Sequence, residues 1–132
     1  MTPETESFPT SIAPWLELPD ADAALAFYDA AFGVDVLYRF DGDGSRLEVA
    51  QLSVRGAIFW IQRAGDDAST AGGPSGSFRM ILSVEDPDAV FDHAVGAGAT
   101  VVGAVSDEHG WRTGRITDPF GYDWEVARQL ES

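Results

Sequence analysis

The chain of 132 residues has no cysteine and no lysine, and it has only two histidines. The lack of cysteine excludes disulfide bonds, thiolate metal sites and a cysteine nucleophile. Long hydrophobic runs are also missing, since no stretch approaches the roughly 18 apolar residues that a membrane-spanning helix needs. Any chemistry must therefore come from oxygen, nitrogen or aromatic groups.

Basic residues are scarce as well: 8 stand against 22 acidic residues, so the formal net charge is −14. This charge repels the phosphate backbone of nucleic acids and anionic membrane surfaces. We therefore predict neither nucleic acid nor a membrane as a partner. Solubility alone explains an acidic surface, and attraction of cationic ligands is the alternative explanation.

The N-terminal residues 1–8 are polar and contain proline, and they lack the basic start and apolar core of a secretory signal. They are predicted to form a disordered leader, and the protein is predicted to be cytoplasmic. The remaining length fits one domain, over residues 9–132.

Within this domain the sequence repeats once. Residues 13–37 and 79–102 each predict a strand, an Asp-rich turn, an amphipathic helix and a Gly stop. The helices are predicted over 23–31 and 89–97, with aspartates before them and a glycine after them, as helix caps require.

Each predicted helix is followed by strand-like sequence around a turn glycine, Gly56 in the first half and Gly121 in the second. A Gly- and Ser-rich linker over 64–77 separates module one, 9–63, from module two, 78–128. This order predicts an α+β fold, in which two βαβββ modules with mixed sheets form a cupped half-barrel within one domain. The segment 106–115 is predicted to be a loop at the pocket rim.

Two motifs connect this pattern to a known family. The helix sequence AALAFYDAAFG, residues 23–33, and the turn and strand DPFGYDWEVA, residues 118–127, resemble the vicinal oxygen chelate superfamily of glyoxalases, bleomycin-resistance proteins and extradiol dioxygenases. The segment around the second helix is most similar to glyoxalase-like proteins of the phosphonate-operon type. The resemblance implies the fold and leaves the activity open, because the family includes lyases, isomerases, dioxygenases and antibiotic-binding proteins.

The resemblance also implies four metal-ligand positions, one on the first and one on the last strand of each module. In this chain they are occupied by Ala13, Trp60, Arg79 and Glu125, of which Glu125 alone can bind a metal. The period-two alternation of strands supports this placement, because the apolar residues between these positions then face the helices. We therefore expect no metal cofactor.

An alternative metal site remains open if Glu17, Glu125 and His109 converge. Glu125 and His109 are also the candidate catalytic residues, as general bases. For Arg79 and Glu125, which the resemblance places at the cavity centre, two interpretations stand. They form an ion pair that neutralises itself, or the Arg79 guanidinium binds a carboxylate or enolate of a ligand.

Three tryptophans are predicted to form an aromatic wall at the cavity mouth, suited to a planar or cationic ligand. The full set of predicted ligand-binding residues is Trp15, Glu17, Trp60, Gln62, Arg79, Trp111, Arg112 and Glu125. The resemblance then implies metal-independent binding of a small, partly aromatic organic molecule by a homodimer that sequesters a drug. The alternatives are a glyoxalase-type lyase, isomerase or dioxygenase that uses Glu125 as base or metal ligand, and an accessory role without a ligand.

Overall fold

The computed structural model of the chain describes residues 9–64 and 78–130. The predicted leader, 1–8, and residues 65–77 of the predicted linker lie outside the described residues. The chain forms the βαβββ pattern twice. The first set of elements is β1 Trp15–Leu18, α1 Ala21–Phe32, β2 Asp35–Asp41, a short 3₁₀ helix Asp43–Ser45, β3 Leu47–Val54 and β4 Ala57–Arg63. The second set is β5 Arg79–Ser83, α2 Pro87–Ala97, β6 Thr100–Glu108, β7 Trp111–Thr117 and β8 Asp123–Gln129.

Both helices begin two residues earlier than the sequence pattern predicts. The Asp20 carboxylate caps α1 by accepting a hydrogen bond from the Ala23 backbone N–H at 3.0 Å, and Asp86 caps α2 in the same way. The caps therefore lie directly before Ala21 and Pro87. The second aspartate of each turn, Asp22 or Asp88, lies in the first helical turn, where its negative charge interacts favourably with the helix dipole. Neither helix, among residues 9–64 and 78–130, has the length and apolarity to cross a membrane.

The strands form two open four-stranded sheets, as predicted. The first sheet has the order β1-β4-β3-β2 and the second the order β5-β8-β7-β6. Each sheet is mixed, because the first and last strands of a module pair in parallel and the other pairs are antiparallel. The α1 and α2 helices pack against each other and against the sheets, so both modules share one core.

Burial alternates along the strands and divides each sheet into a core side and an outer face, which is turned away from the helices. In β1, Leu16 is 1% exposed while Trp15 is 47% exposed; in β5, Leu82 is 8% exposed while Ile81 is 59% exposed. This alternation has the phase that the sequence predicts. Side chains on the outer faces are therefore available for binding.

A buried carboxylate joins the two modules. Asp118, in the turn before β8, accepts hydrogen bonds from the Tyr28 hydroxyl at 2.5 Å and the Trp124 indole N–H at 2.9 Å. Its other oxygen accepts from the backbone N–H groups of Phe120 and Tyr122. Burial raises the pKa of Asp118, although all four hydrogen bonds favour the ionised form. Because Tyr28 lies on α1, this carboxylate connects the helix of one module to the last turn of the other.

The same turn also reaches the edge of the first sheet. The Tyr122 hydroxyl donates to the Glu17 carbonyl at 2.7 Å and accepts from the Glu17 backbone N–H at 3.0 Å. Since β1 is an edge strand, these backbone groups have no neighbouring strand on that side. The phenol satisfies them and holds β1 close to the start of β8.

We expect the substitution Asp118→Asn to destabilise the fold by about 1–3 kcal/mol. If the amide oxygen accepts the hydrogen bonds from the backbone N–H groups, the amide nitrogen faces the Trp124 indole N–H. The buried Trp124 N–H then has no acceptor. Urea denaturation at pH 7 measures the loss. Asp92→Asn, on the exposed face of α2, is the matched control and should stay within about 0.5 kcal/mol of the wild type. Equal stability of the two variants would contradict the proposed role of Asp118.

Candidate functional site

The outer face of the first sheet carries a row of aromatic side chains. Trp15, Trp60, Gln51 and Tyr38 lie opposite one another on β1, β4, β3 and β2. The Trp15 and Trp60 rings are stacked, with centroids 5.6 Å apart and planes inclined by 26°. The Tyr38 ring centroid lies 6.1 Å from that of Trp60. We call these four residues the aromatic row.

The aromatic row is a partly exposed apolar surface with polar groups beside it. Trp15 is 47% and Tyr38 is 49% exposed. The Trp15 indole N–H donates to the Gln62 side-chain oxygen at 3.1 Å, which fixes the orientation of the indole ring. A planar molecule that lies on this surface would extend an arrangement of rings that is already stacked.

The sequence pattern did not indicate that Tyr38 and Gln51 lie beside the two tryptophans. The register of β2 shifts between Val36 and Tyr38, so simple alternation along VLYRF does not indicate which face Tyr38 occupies. A signal was available in β3, where the hairpin turn at Gly56 sets Gln51 opposite Trp60.

The outer face of the second sheet carries a charged group of residues around Glu125. One Glu125 oxygen accepts from Arg79 Nε at 2.6 Å, and the other accepts from the Thr113 hydroxyl at 2.5 Å. Arg115 lies opposite Glu125 in the β7–β8 pair. We call Arg79, Thr113, Arg115 and Glu125 the Glu125 cluster. The predicted ion pair between Arg79 and Glu125 is therefore formed, with Arg79 43% and Glu125 15% exposed.

The environment of Glu125 keeps it ionised. Burial by itself raises the pKa of Glu125, but hydrogen bonds from Thr113 and Arg79, together with the charges of Arg79 and Arg115, outweigh it and lower the pKa overall. A carboxylate with a lowered pKa is a weak base, and both of its oxygens are engaged. This arrangement does not favour Glu125 as a general base.

The residues do not fit a divalent metal. Three of the four positions implied by the family resemblance hold Ala13, Trp60 and Arg79, which offer no ligating atom. Over residues 9–64 and 78–130, no group of three or more His, Asp or Glu side chains is arranged to hold a metal ion. Arg79 instead places a fixed positive charge beside Glu125.

The structure places the predicted residues His109 and Arg112 away from these two surfaces. Most of 106–115 is strand rather than loop, with a turn only at His109 and Gly110, because β6 and β7 pair up to Glu108 and Trp111. Trp111 lies on the same face of β7 as Thr113 and Arg115, about 7 Å and 13 Å from them along the strand. His109 lies beyond Trp111, so it does not converge with Glu125 within one chain.

Arg112 lies on the opposite face of β7 from Thr113 and Arg115. It forms two hydrogen bonds to the Asp88 carboxylate of α2, at 2.7 and 2.8 Å, and one to Asp107 at 2.8 Å. The hydrogen bonds from Arg112 lower the pKa of Asp88. Arg112 therefore connects β7 to α2 on the helix side, rather than lining the same surface as the Glu125 cluster.

The aromatic row and the Glu125 cluster are open surfaces in the single chain. Three cavities within the described part of the chain have volumes of about 790, 380 and 120 Å³, and none of the three is lined by Trp60 or Glu125. The first of them lies on the helix side, between the start of α2 and the end of β8.

Comparison with known proteins matches residues 16–126 to the family described as Glyoxalase/Bleomycin resistance protein/Dioxygenase superfamily. An uncharacterized protein of Mycobacterium bovis is 35% identical over 127 residues, which cover 91% of this chain and 84% of the relative. Among solved structures, TioX from Micromonospora sp. ML1 superposes with a TM-score of 0.71 at 26% identity, covering 93% of this chain and 98% of TioX. The fosfomycin resistance protein FosX from Listeria monocytogenes, at 13% identity, has the same fold, with a TM-score of 0.71 and coverage of 93% and 95%.

The substitution Glu125→Gln should make the free energy of unfolding less dependent on pH in the acidic range. The folded-state pKa of Glu125 is below its ordinary value of 4.5, so its ionised form stabilises the protein above that pH. This contribution is lost as the pH falls through the folded value. At pH 7 we expect the variant to be about 1 kcal/mol less stable, a small effect because Arg79 is partly exposed.

Urea denaturation between pH 7 and pH 3 measures this difference, which should shrink as the pH falls below 4.5. Glu85→Gln removes an exposed carboxylate that forms no side-chain ion pair in the described structure, and it is the matched control. A stability difference for Glu125→Gln that stays constant over this range would contradict the role assigned to the ionised carboxylate.

Proposed function

Because this chain belongs to the glyoxalase/bleomycin resistance protein/dioxygenase superfamily, we propose that it binds a small, partly aromatic organic molecule without a metal ion, between module one of one copy and module two of a second copy. The observation that carries the proposal is the aromatic row on the outer face of the first sheet. The proposed role is sequestration of a toxic compound. The family description includes bleomycin resistance, and FosX, which shares the fold, is a fosfomycin resistance protein.

The aromatic row has the properties of a binding surface for planar molecules. Stacked or tilted aromatic pairs contribute about 0.5–1.5 kcal/mol beyond the burial of their area. Trp15 and Tyr38 remain about half exposed, so a ligand ring gains both contacts and burial there. The amides of Gln51 and Gln62 lie along the same face and can orient polar groups of the ligand.

The residues at the family's metal positions support binding without a metal. At one of the positions implied by the family resemblance, Arg79 provides a cation instead of a metal-ligating atom, and Glu125 forms an ion pair with it at 2.6 Å. Glu125 is held by Thr113 as well, which leaves it poorly suited to act as a base.

A second copy of the chain is proposed to enclose the ligand. The outer faces expose large apolar side chains, with Ile81 59%, Trp15 47% and Ile58 37% exposed. Contiguous exposed apolar surface of this kind is commonly covered by a partner. In a twofold dimer, the first-sheet face of one chain can meet the second-sheet face of the other, and the symmetry forms this pairing twice. The aromatic row would then face the Glu125 cluster of the partner copy.

Planar aromatic compounds should raise the melting temperature of chelator-treated protein as much as that of untreated protein. A ligand that binds only the folded state at 100 times its dissociation constant stabilises it by about 2.7 kcal/mol. Thermal shift measurements should show the rise for the wild type and its loss in Trp60→Ala. The control Leu130→Ala, at a partly exposed apolar residue on the helix side, should keep it.

Each variant is compared with its own melting temperature without ligand, so a change in basal stability does not affect the reading. Marked stabilisation by a divalent metal alone would overturn metal-independent binding and favour the enzyme alternative. An equal rise in melting temperature for Trp60→Ala and the wild type would show that the aromatic row is not part of the binding site.

The proposed dimer predicts that Ile81→Asp separates the two copies, because it places a charge in an apolar contact. Sedimentation velocity should give twice the chain mass for the wild type and the single-chain mass for the variant. Leu130→Asp changes a partly exposed apolar residue on the helix side and should remain dimeric. A wild type that sediments as a single chain would contradict the proposed assembly.

A further inference from the structure

The arginines of this chain differ in whether a carboxylate neutralises their charge. Four of the eight form an ion pair with a carboxylate in the described structure, namely Arg39, Arg63, Arg79 and Arg112. Arg128 donates to the Glu85 backbone carbonyl. Arg46 and Arg55 lie outside the regular elements, at turns, whereas Arg115 lies within β7. Of the arginines that lie in the described strands, Arg115 is the one whose side chain forms neither an ion pair nor a hydrogen bond.

Arg115 lies on the outer face of the second sheet, between the core residues Gly114 and Ile116. Its neighbour across the strand pair is Glu125, whose two oxygens already accept hydrogen bonds from Arg79 and Thr113. Within residues 9–64 and 78–130, Arg115 forms no hydrogen bond and no ion pair within 4 Å. Its guanidinium therefore keeps its donors for another molecule.

The remaining acidic group on this stretch of the face is also occupied. Asp123 accepts a hydrogen bond from the Thr117 hydroxyl at 2.7 Å and lies opposite Thr117 in the strand pair, one row of the sheet away from Arg115. The Arg79 guanidinium uses Nε for Glu125, and its terminal nitrogens form no hydrogen bond with the described residues. Two arginines thus flank one carboxylate whose oxygens are both taken.

If a second copy or a ligand covers this face, the Arg115 guanidinium loses its contact with water. A charged group that loses water without gaining a partner is strongly disfavoured. Whatever encloses Arg115 must therefore bring an acceptor, and an anionic one forms the stronger hydrogen bonds. A carboxylate matches the planar guanidinium fork with two parallel hydrogen bonds. Anions of higher charge are less favoured, because the chain itself carries a net charge of −14.

We propose that the ligand of this site is an aromatic carboxylic acid, whose ring stacks on the aromatic row of one copy and whose carboxylate is bound by Arg115 of the second copy in the proposed dimer. This inference rests on the proposed function and adds the class of ligand to it. Arg115 supplies the bidentate contact, and the terminal nitrogens of Arg79 are the second group of donors on the same face. Glu125 stays bound to Arg79 and Thr113, and its negative charge neutralises one of the two arginine charges of the cluster.

The test compares aromatic acids with their neutral amides, namely benzoate with benzamide and 2-naphthoate with 2-naphthamide. Titration calorimetry and quenching of tryptophan fluorescence give the dissociation constants for the wild type, Arg115→Gln, Arg115→Lys and Arg55→Gln. Arg55 is exposed at the β3–β4 turn, so its variant removes the same charge elsewhere in the chain.

The wild type should bind each acid at least about 10-fold more tightly than its amide, because the carboxylate forms charge-assisted hydrogen bonds. Arg115→Gln should weaken binding of the acids by about 10- to 100-fold and leave binding of the amides unchanged. Arg115→Lys, which keeps the charge without the fork, should fall between the two. Arg55→Gln should behave as the wild type.

The outcomes separate this inference from the proposed function. If acids and amides bind the wild type equally, or if Arg115→Gln weakens both alike, the carboxylate contact is wrong while the aromatic site stands. If neither acids nor amides bind the wild type, the proposed function fails and the inference fails with it. Equal loss of acid binding in Arg55→Gln and Arg115→Gln would show an effect of overall charge and would also overturn the assignment of Arg115.

Discussion

The fold depends on a single buried carboxylate. Asp118 is 3% exposed and collects donors from the α1 helix, from the β8 strand and from its own turn. Taking a carboxylate out of water is costly unless its oxygens are filled, and here the hydroxyl of Tyr28 and the indole of Trp124 help to fill them. This requirement sets the position of α1 relative to the second module. The neighbouring Tyr122 extends the same junction to the backbone of β1.

The position of β8 then determines which side chains form the two surfaces. With Trp124 and Val126 held in the core, the alternation of the strand turns Glu125 outward, and pairing with β7 places Thr113 and Arg115 beside it. The same logic in the first module places Trp60 outward on β4, next to Trp15 on β1. Both surfaces therefore consist of the outward-facing residues of strands whose inward-facing residues form the shared core, so the proposed binding surfaces depend on the stability of the fold.

Local patterns predicted much of this arrangement. The cap residues Asp20 and Asp86, the stop glycines and the period-two strands act over a few residues, so the element order and the outward faces of β1, β4, β5 and β8 could be deduced from the sequence. The segment 106–115 could not. Its Gly and charged residues suggested a loop, yet strand pairing extends through it and turns Arg112 toward Asp88 of α2. The two halves of the segment pair with each other as a hairpin and β7 also pairs with β8, so strand pairing outweighs the local preference there.

The sequence by itself determined the α+β fold of two βαβββ modules and the lack of cysteine chemistry. These follow from residue identity and short-range periodicity. Only the tertiary structure decided that Tyr38 joins Trp60, that both Glu125 oxygens accept hydrogen bonds from Arg79 and Thr113, and that Arg115 forms no ion pair with the described carboxylates. The physical reason is that register, bulges and side-chain pairing depend on contacts between residues far apart in the chain, which periodicity along one strand does not encode.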